Sequence, residues 1–167
     1  MIGLSRLREV EAAILAQTGG GHEMVVALNA AGGIVLEKMG TVNEVRLSAA
    51  EFQILADQAD LLTHNHPSGG GLGRADFGLA VEANLREIHA VGGRYRHRLQ
   101  RFSSSWSDLG ESLNLLDEIE ASVRRYLQAR VDSGSLSSAD ASERYWHEVW
   151  QRFARAVTQV DYIREER

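Results

Sequence analysis

The sequence predicts an α+β fold, with a mixed β-sheet core flanked by helices and followed by a C-terminal helical hairpin. Three observations point there: short β-branched apolar runs in the first hundred residues, amphipathic helical stripes between those runs, and two long helical stripes after residue 103. In order, Leu4, Leu7, Val10 and Ile14 recur at helical spacing, predicting a helix over 4–16. Residues 23–29 read as a buried strand that turns through Ala30-Ala31-Gly32-Gly33 into a second strand, 34–39, with a third over 42–47. Ser48 and Glu51 form a capping-box pattern that opens a helix to about Gln58, with Phe52 and Leu55 facing inward. Leu61-Leu62-Thr63 is a short apolar strand. A helix starts at Asp76, its stripe of Phe77, Val81, Leu85 and Ile88 stopped by Gly92-Gly93, and 94–102 alternates as a strand. In the tail, Leu109, Leu113, Leu116, Ile119, Val123 and Leu127 predict one helix, and Trp146, Val149, Trp150, Phe153, Val157 and Val160 predict a second, from about Ser138 to Tyr162. The serine cluster Ser103-Ser104-Ser105-Trp106-Ser107 marks the change of pattern, which divides the chain into a core, 1–102, and an αα-hairpin, 103–167, packed on the core or on a partner.

Composition narrows the functional classes. The chain has 167 residues, enough for one good core and a helical appendage. With no cysteine, disulfides, thiolate catalysis and Cys-ligated zinc are excluded. A net charge of −5, most of it after residue 102, argues against nucleic acid as a partner, since phosphate-backbone binding needs a basic surface. No apolar run approaches the ~20 residues of a membrane span. Charged Arg6, Arg8, Glu9 and Glu11 leave the N-terminus without a secretory apolar region. The expectation is a cytoplasmic protein that is neither secreted nor membrane-bound.

The chemistry concentrates in Thr63-His64-Asn65-His66-Pro67-Ser68-Gly69-Gly70-Gly71-Leu72-Gly73-Arg74-Ala75-Asp76. Residues i and i+2 of a strand project from one face, so His64 and His66 can converge on one point. Two neutral imidazoles and the carboxylate of Asp76 form a borderline-soft ligand set suited to Zn²⁺, and three protein ligands leave a fourth position for water. The glycines suggest a phosphate loop, but no Lys-Ser/Thr follows them. His22, His89, His97 and His147 read as structural or surface residues, with His22 the one placed to touch a substrate. Arg94, Arg96 and Arg98 alternate on one strand face and read as a solvated sheet edge, with an acidic partner or nucleic acid as the alternative.

His64-x-His66-Pro67, a Gly-rich loop and a downstream Asp76 resemble the motif of the JAMM (MPN+) zinc metalloprotease superfamily, and the wording His64-Asn65-His66-Pro67-Ser68-Gly69 resembles its RadC branch. The likeness covers residues 20–102. It implies a JAMM-like core in which His64, His66 and Asp76 ligate Zn²⁺. It also implies that Glu23, in Gly21-His22-Glu23-Met24-Val25, is the unligated general base that activates a water against a peptide or Lys-isopeptide bond. The substrates implied are proteins or peptides, including ubiquitin-like conjugates. One position departs from the pattern: Gly73 stands where the family has a Ser whose hydroxyl helps hold the oxyanion, and loss of one such donor typically costs about 10²–10³ in rate. Glu87-Ile88-His89-Ala90-Val91-Gly92, Trp146-His147-Glu148-Val149-Trp150 and the spacing from Pro67 to Asp76 also resemble a JAMM-like domain attached to phage minor-head (head-morphogenesis) proteins. That likeness implies an alternative: a catalytically weak zinc-binding module for phage head assembly or partner binding, oligomeric or structural through the C-terminal helices.

Overall fold

A computed structural model describes residues 2–106 and 109–167. Ser107 of the serine cluster lies outside the described residues, as does the side chain of Leu109 at the head of the tail stripe. The elements run α1 (Leu4–Thr18), β1 (Met24–Leu28), β2 (Ile34–Met39), α2 (Ala49–Gln58), β3 (Leu61–Asn65), α3 (Arg74–Glu82), β4 (Glu87–Val91), β5 (Tyr95–Arg101), α4 (Leu109–Asp132), α5 (Ser138–Ala156) and β6 (Val160–Glu166). The six strands form one mixed sheet in the order β2-β1-β3-β4-β5-β6. Among the described residues β3 and β4 pair in parallel, joined by the crossover through α3, and the other four pairings are antiparallel.

Period-2 alternation divides the strand side chains between two cores. Met24, Val26, Leu28 and Leu61 pack with Leu7, Val10 and Ile14 of α1. Val25, Ala27, Leu62, Ile88, Ala90 and Leu99 join Leu55 of α2, Phe77 of α3, Val123 of α4 and Trp150 and Phe153 of α5 on the opposite face. Phe77 is the pivot there, with ring centroids 5.5 Å from Trp150 and 5.2 Å from Phe153. The expected helical pair is thus present and docked on the sheet. The Ser48–Glu51 capping box also forms as the pattern predicts, Glu51 N–H donating to Ser48 Oγ and Ser48 N–H to Glu51 Oε2.

Four expectations are corrected. Residues 42–47 form no strand: a turn in which Thr41 N–H donates to Glu44 O leads away from β2, and Val45 and Leu47 pack against the helical layer instead. The α3 helix stops at Glu82, not Gly92. Asn84 takes φ 51°, a left-handed conformation that Asn tolerates at helix ends, and Ile88 becomes part of buried β4. An apolar residue every third or fourth position let the helical stripe run on into the strand. The second tail helix ends at Ala156 rather than Tyr162, and the chain returns to the sheet as β6, so the hairpin is followed by a strand. That strand covers β5, which is therefore not an edge. Arg94, Arg96 and Arg98 are each paired within the chain, to Glu166, Glu11 and Asp161. Among the described residues no helix is long and apolar enough to cross a membrane.

Candidate metal centre

The parallel step between β3 and β4 leaves the carboxyl end of β3 open beside the start of α3, the kind of position where sheet proteins carry their sites. His64 lies in the last stretch of β3, in register with Val25 of β1 on one side and Ala90 of β4 on the other. His66 follows one step beyond the strand on the same face. Glu23 immediately precedes β1, two residues before Val25 and so on the face that carries His64. Asp76 occupies the first turn of α3, where it accepts a 2.6 Å hydrogen bond from Gly73 N–H at the N-cap. Four chemistry-bearing side chains from three elements therefore meet at one point.

Their donor atoms are close. His64 Nε2 and His66 Nε2 stand 2.9 Å apart. Asp76 Oδ1 is 3.2 Å from His64 Nε2, and Asp76 Oδ2 is 3.8 Å from His66 Nε2. Glu23 Oε1 is 3.4 Å from His66 Nε2. Two ligand atoms that share a tetrahedral zinc at ~2.0–2.1 Å stand about 3.3 Å apart, so these separations bracket what one small ion requires. Glu23, His64 and His66 form a group able to hold a metal ion, each offering one donor atom within 4.8 Å of the others. Asp76, predicted as the third ligand, lies outside that grouping while touching both imidazoles; Glu23, predicted to be unligated, lies inside it.

The surroundings fit a cation. His66 Nδ1 lies 3.2 Å from Gly70 O; donating to that carbonyl fixes the tautomer that leaves Nε2 free as a ligand. His64 is only 2% exposed, buried beside the backbone of His89 on the neighbouring strand. Among the described residues no Arg or Lys pairs with Glu23 or Asp76; the charged and titratable groups acting on them are each other, the two histidines and Glu44 beside Glu23.

The protonation states follow from this packing. Burial pushes Asp76 up, but the charge and hydrogen bond of His64, then His66 and Gly73 N–H, outweigh it and bring the carboxyl down to about 2. Burial pushes the His64 imidazolium down, and the Asp76 and Glu23 carboxylates more than reverse this, so its pKa is raised. His66 is lowered, by burial first and then by the charge of His64. Glu23 is raised, chiefly by burial, with His64 opposing and Asp76 and Glu44 adding to the rise. Without a metal, the two carboxylates favour a proton on His64.

One contributor escaped the sequence reading. Asn65, between the two histidines, points to the opposite face and is 1% exposed. Its Oδ1 accepts Met24 N–H at 2.8 Å and its Nδ2 donates to His22 O at 2.8 Å, so one amide staples the backbone on both sides of Glu23. The available signal was an amide at a fully buried strand position, which must find partners. His22 itself is exposed, while His89 and His97 are buried.

No family model matches this chain, and no curated protein matches its sequence.

Proposed function

We propose that this cluster holds one zinc ion and that the protein is a JAMM-type zinc metallopeptidase, cleaving a peptide or Lys-isopeptide bond. The observation that carries the reading is the convergence of two imidazole nitrogens and two carboxylates within 2.9–3.8 Å with no Arg or Lys among the described residues paired to them. Zinc bound there supplies Lewis acidity, polarising a carbonyl and lowering the pKa of a water to about 7.

The residues divide the remaining tasks by their acidity. Asp76, held at about 2, stays anionic at any working pH and suits the third-ligand role beside His64 and His66. Glu23 is shifted upward, towards the range where a carboxylate takes and returns protons. Its Oε1 accepts the proton of the attacking water and delivers it to the departing nitrogen. His66, through Gly70, and Asp76, through Gly73, keep their donor atoms aimed at the same point.

Gly73 favours a second reading, a zinc-binding module of phage head assembly with little catalysis. Its N–H is already committed to Asp76 and it has no hydroxyl to offer an oxyanion. The test is cleavage of a peptide library and of Lys-isopeptide substrates by zinc-loaded protein, with Glu23→Gln and Gly73→Ser alongside. The peptidase reading expects cleavage that Glu23→Gln abolishes while zinc stays bound. Zinc binding without cleavage by the wild type or Gly73→Ser selects the module. Zinc lost in Glu23→Gln makes Glu23 a ligand and overturns its role as base.

A further inference from the structure

The loop from His66 to Gly73 does two jobs for the cluster, and β4, β5 and the far end of the chain all help to anchor it. Its own bonds are few: His66 N–H to Val91 O at 3.2 Å and Gly69 N–H to His66 O at 2.9 Å, with Gly69 at φ 77°. The ligand-orienting groups lie in its second half, where Gly70 O faces His66 Nδ1 and Gly73 N–H binds Asp76. Any drift of residues 70–73 therefore moves a histidine and a carboxylate at once.

Between those two groups, Leu72 is buried and its carbonyl accepts the indole N–H of Trp150 at 2.6 Å. Trp150 is fully buried on α5, stacked on Trp146 and packed against Phe77 and Phe153. Gly71 lies on the imidazole of His97 so closely that a Cβ there would stand 2.9–3.3 Å from three ring atoms. The His97 ring is in turn tied to Tyr162 Oη of β6, 2.8 Å from Nδ1, and His147 of α5 reaches the same hydroxyl at 3.2 Å.

We infer that α5 and β6 are positioning elements of the metal centre, with Trp150 directly and Tyr162 through His97 fixing the loop that sets His66 and Asp76. The inference rests on the reading of the cluster as a metal centre. Neither residue touches a ligand atom; both act through the backbone of Leu72 and Gly71. The return of the chain to the sheet as β6 brings Tyr162 to this place, opposite Leu99 in register.

The experiment compares the wild type with Trp150→Phe, Tyr162→Phe and Leu127→Ala. Each Phe variant keeps an aromatic ring and deletes the polar contact. Leu127, on α4 in the same core, is the control for stability lost without change to the loop's anchors. Zn²⁺ affinity is measured by competition with a chromophoric chelator, and Co²⁺ absorption reports ligand geometry, both well below the unfolding temperature. Trp150→Phe is expected to weaken Zn²⁺ by ~10-fold, the low end for outer-shell partners, and to alter the Co²⁺ bands. Tyr162→Phe is expected to do the same to a smaller extent, and Leu127→Ala to melt earlier with affinity and spectrum unchanged. If Trp150→Phe does not fold, Tyr162→Phe decides the matter. Tight zinc in the wild type with unchanged affinity in both Phe variants overturns this inference alone, as does an equal loss in Leu127→Ala. A wild type that binds no zinc overturns the metal-centre reading and this inference with it.

Discussion

The two faces of the sheet each bury a set of ionisable side chains, and they balance charge in opposite ways. On the face that α1 covers, Glu11 is fully buried and meets Arg96, Arg8 at 3.6 Å and His89 at 3.7 Å. Glu87 pairs there with His89 at 3.0 Å and with Arg86 at 2.8 Å. Each acid has a guanidinium, and both carboxyls are held below their usual range: burial opposes this, but His89 and Arg96 overcome it at Glu11, and His89 and Arg86 at Glu87. On the other face, among the described residues, the ion-pair partners of Glu23 and Asp76 are His64 and His66. A buried acid with an arginine is balanced in charge; two acids with two imidazoles are one or two positive charges short unless a proton or a metal ion supplies them. The contrast, more than the motif, is the physical case for a cation at the second cluster.

The largest expected effect is the sharpest test of that contrast. Replacing His64 and His66 together by Ala should abolish Zn²⁺ binding, a loss well beyond the ~10–100-fold of outer-shell changes, while the metal-free protein keeps its fold. Equilibrium dialysis with metal analysis checks it; retained stoichiometric zinc would place the ion elsewhere. Next in size is Arg96→Met, which leaves Glu11 buried with weaker partners. It should cost about 3 kcal/mol in denaturant unfolding, the low end for a broken buried pair because Arg8 and His89 remain, and should leave zinc affinity unchanged. A coupled loss of zinc would mean that the two faces are not independent.

What could be read in the sequence was whatever local geometry fixes. Two histidines two apart on a strand share a face whatever the rest of the fold does, and Asp76 at a helix start follows from the pattern after it. Glu23 entered through resemblance, and the antiparallel pairing of Val25 with His64 brings its side chain within 3.4 Å of His66. The misses are long-range. Glu11 meets Arg96 across 85 residues, and β6 pairs with a strand about sixty residues earlier, so no window could reveal either. Val157 and Val160 fit a helical stripe as well as a strand, and only the open edge of β5 decides between them. Asn65 was hidden because its partners are backbone atoms of another strand.

Asn65 gives an intermediate prediction on the boundary between the two faces. Asn65→Ala strands Met24 N–H and His22 O without a partner, which should cost about 2 kcal/mol. It should also loosen Glu23 while sparing the histidines, whose side chains lie on the other face. Hydrogen exchange at Met24, compared with zinc affinity, separates these effects. Unchanged exchange at Met24 would show that the amide does not hold that backbone.

The smallest effect is a slope in pH, limited to about 1.4 kcal/mol per pH unit for each proton, and its sign differs between the faces. Glu11 and Glu87 are lowered, so their stabilisation is present above pH 4.5 and is lost as pH falls through their folded-state values. His64 is raised, so its stabilisation is complete below pH 6.5 and disappears as pH climbs through its folded-state value. The other shifted histidines, His66, His97 and His147, are lowered and contribute nothing above pH 6.5. In chelator, the melting temperature should therefore decline from pH 6.5 to 9, and His64→Ala should remove the decline. Zinc bound at the cluster would replace the shared proton and bind more tightly as pH rises, so the zinc-loaded protein should hold or gain stability over the same interval. Thermal melts in chelator and in zinc would break the comparison if the metal-free protein were as stable at pH 9 as at pH 6.5. The acids at the second cluster would then need no added positive charge, and the two faces would not differ in the way their neighbours dictate.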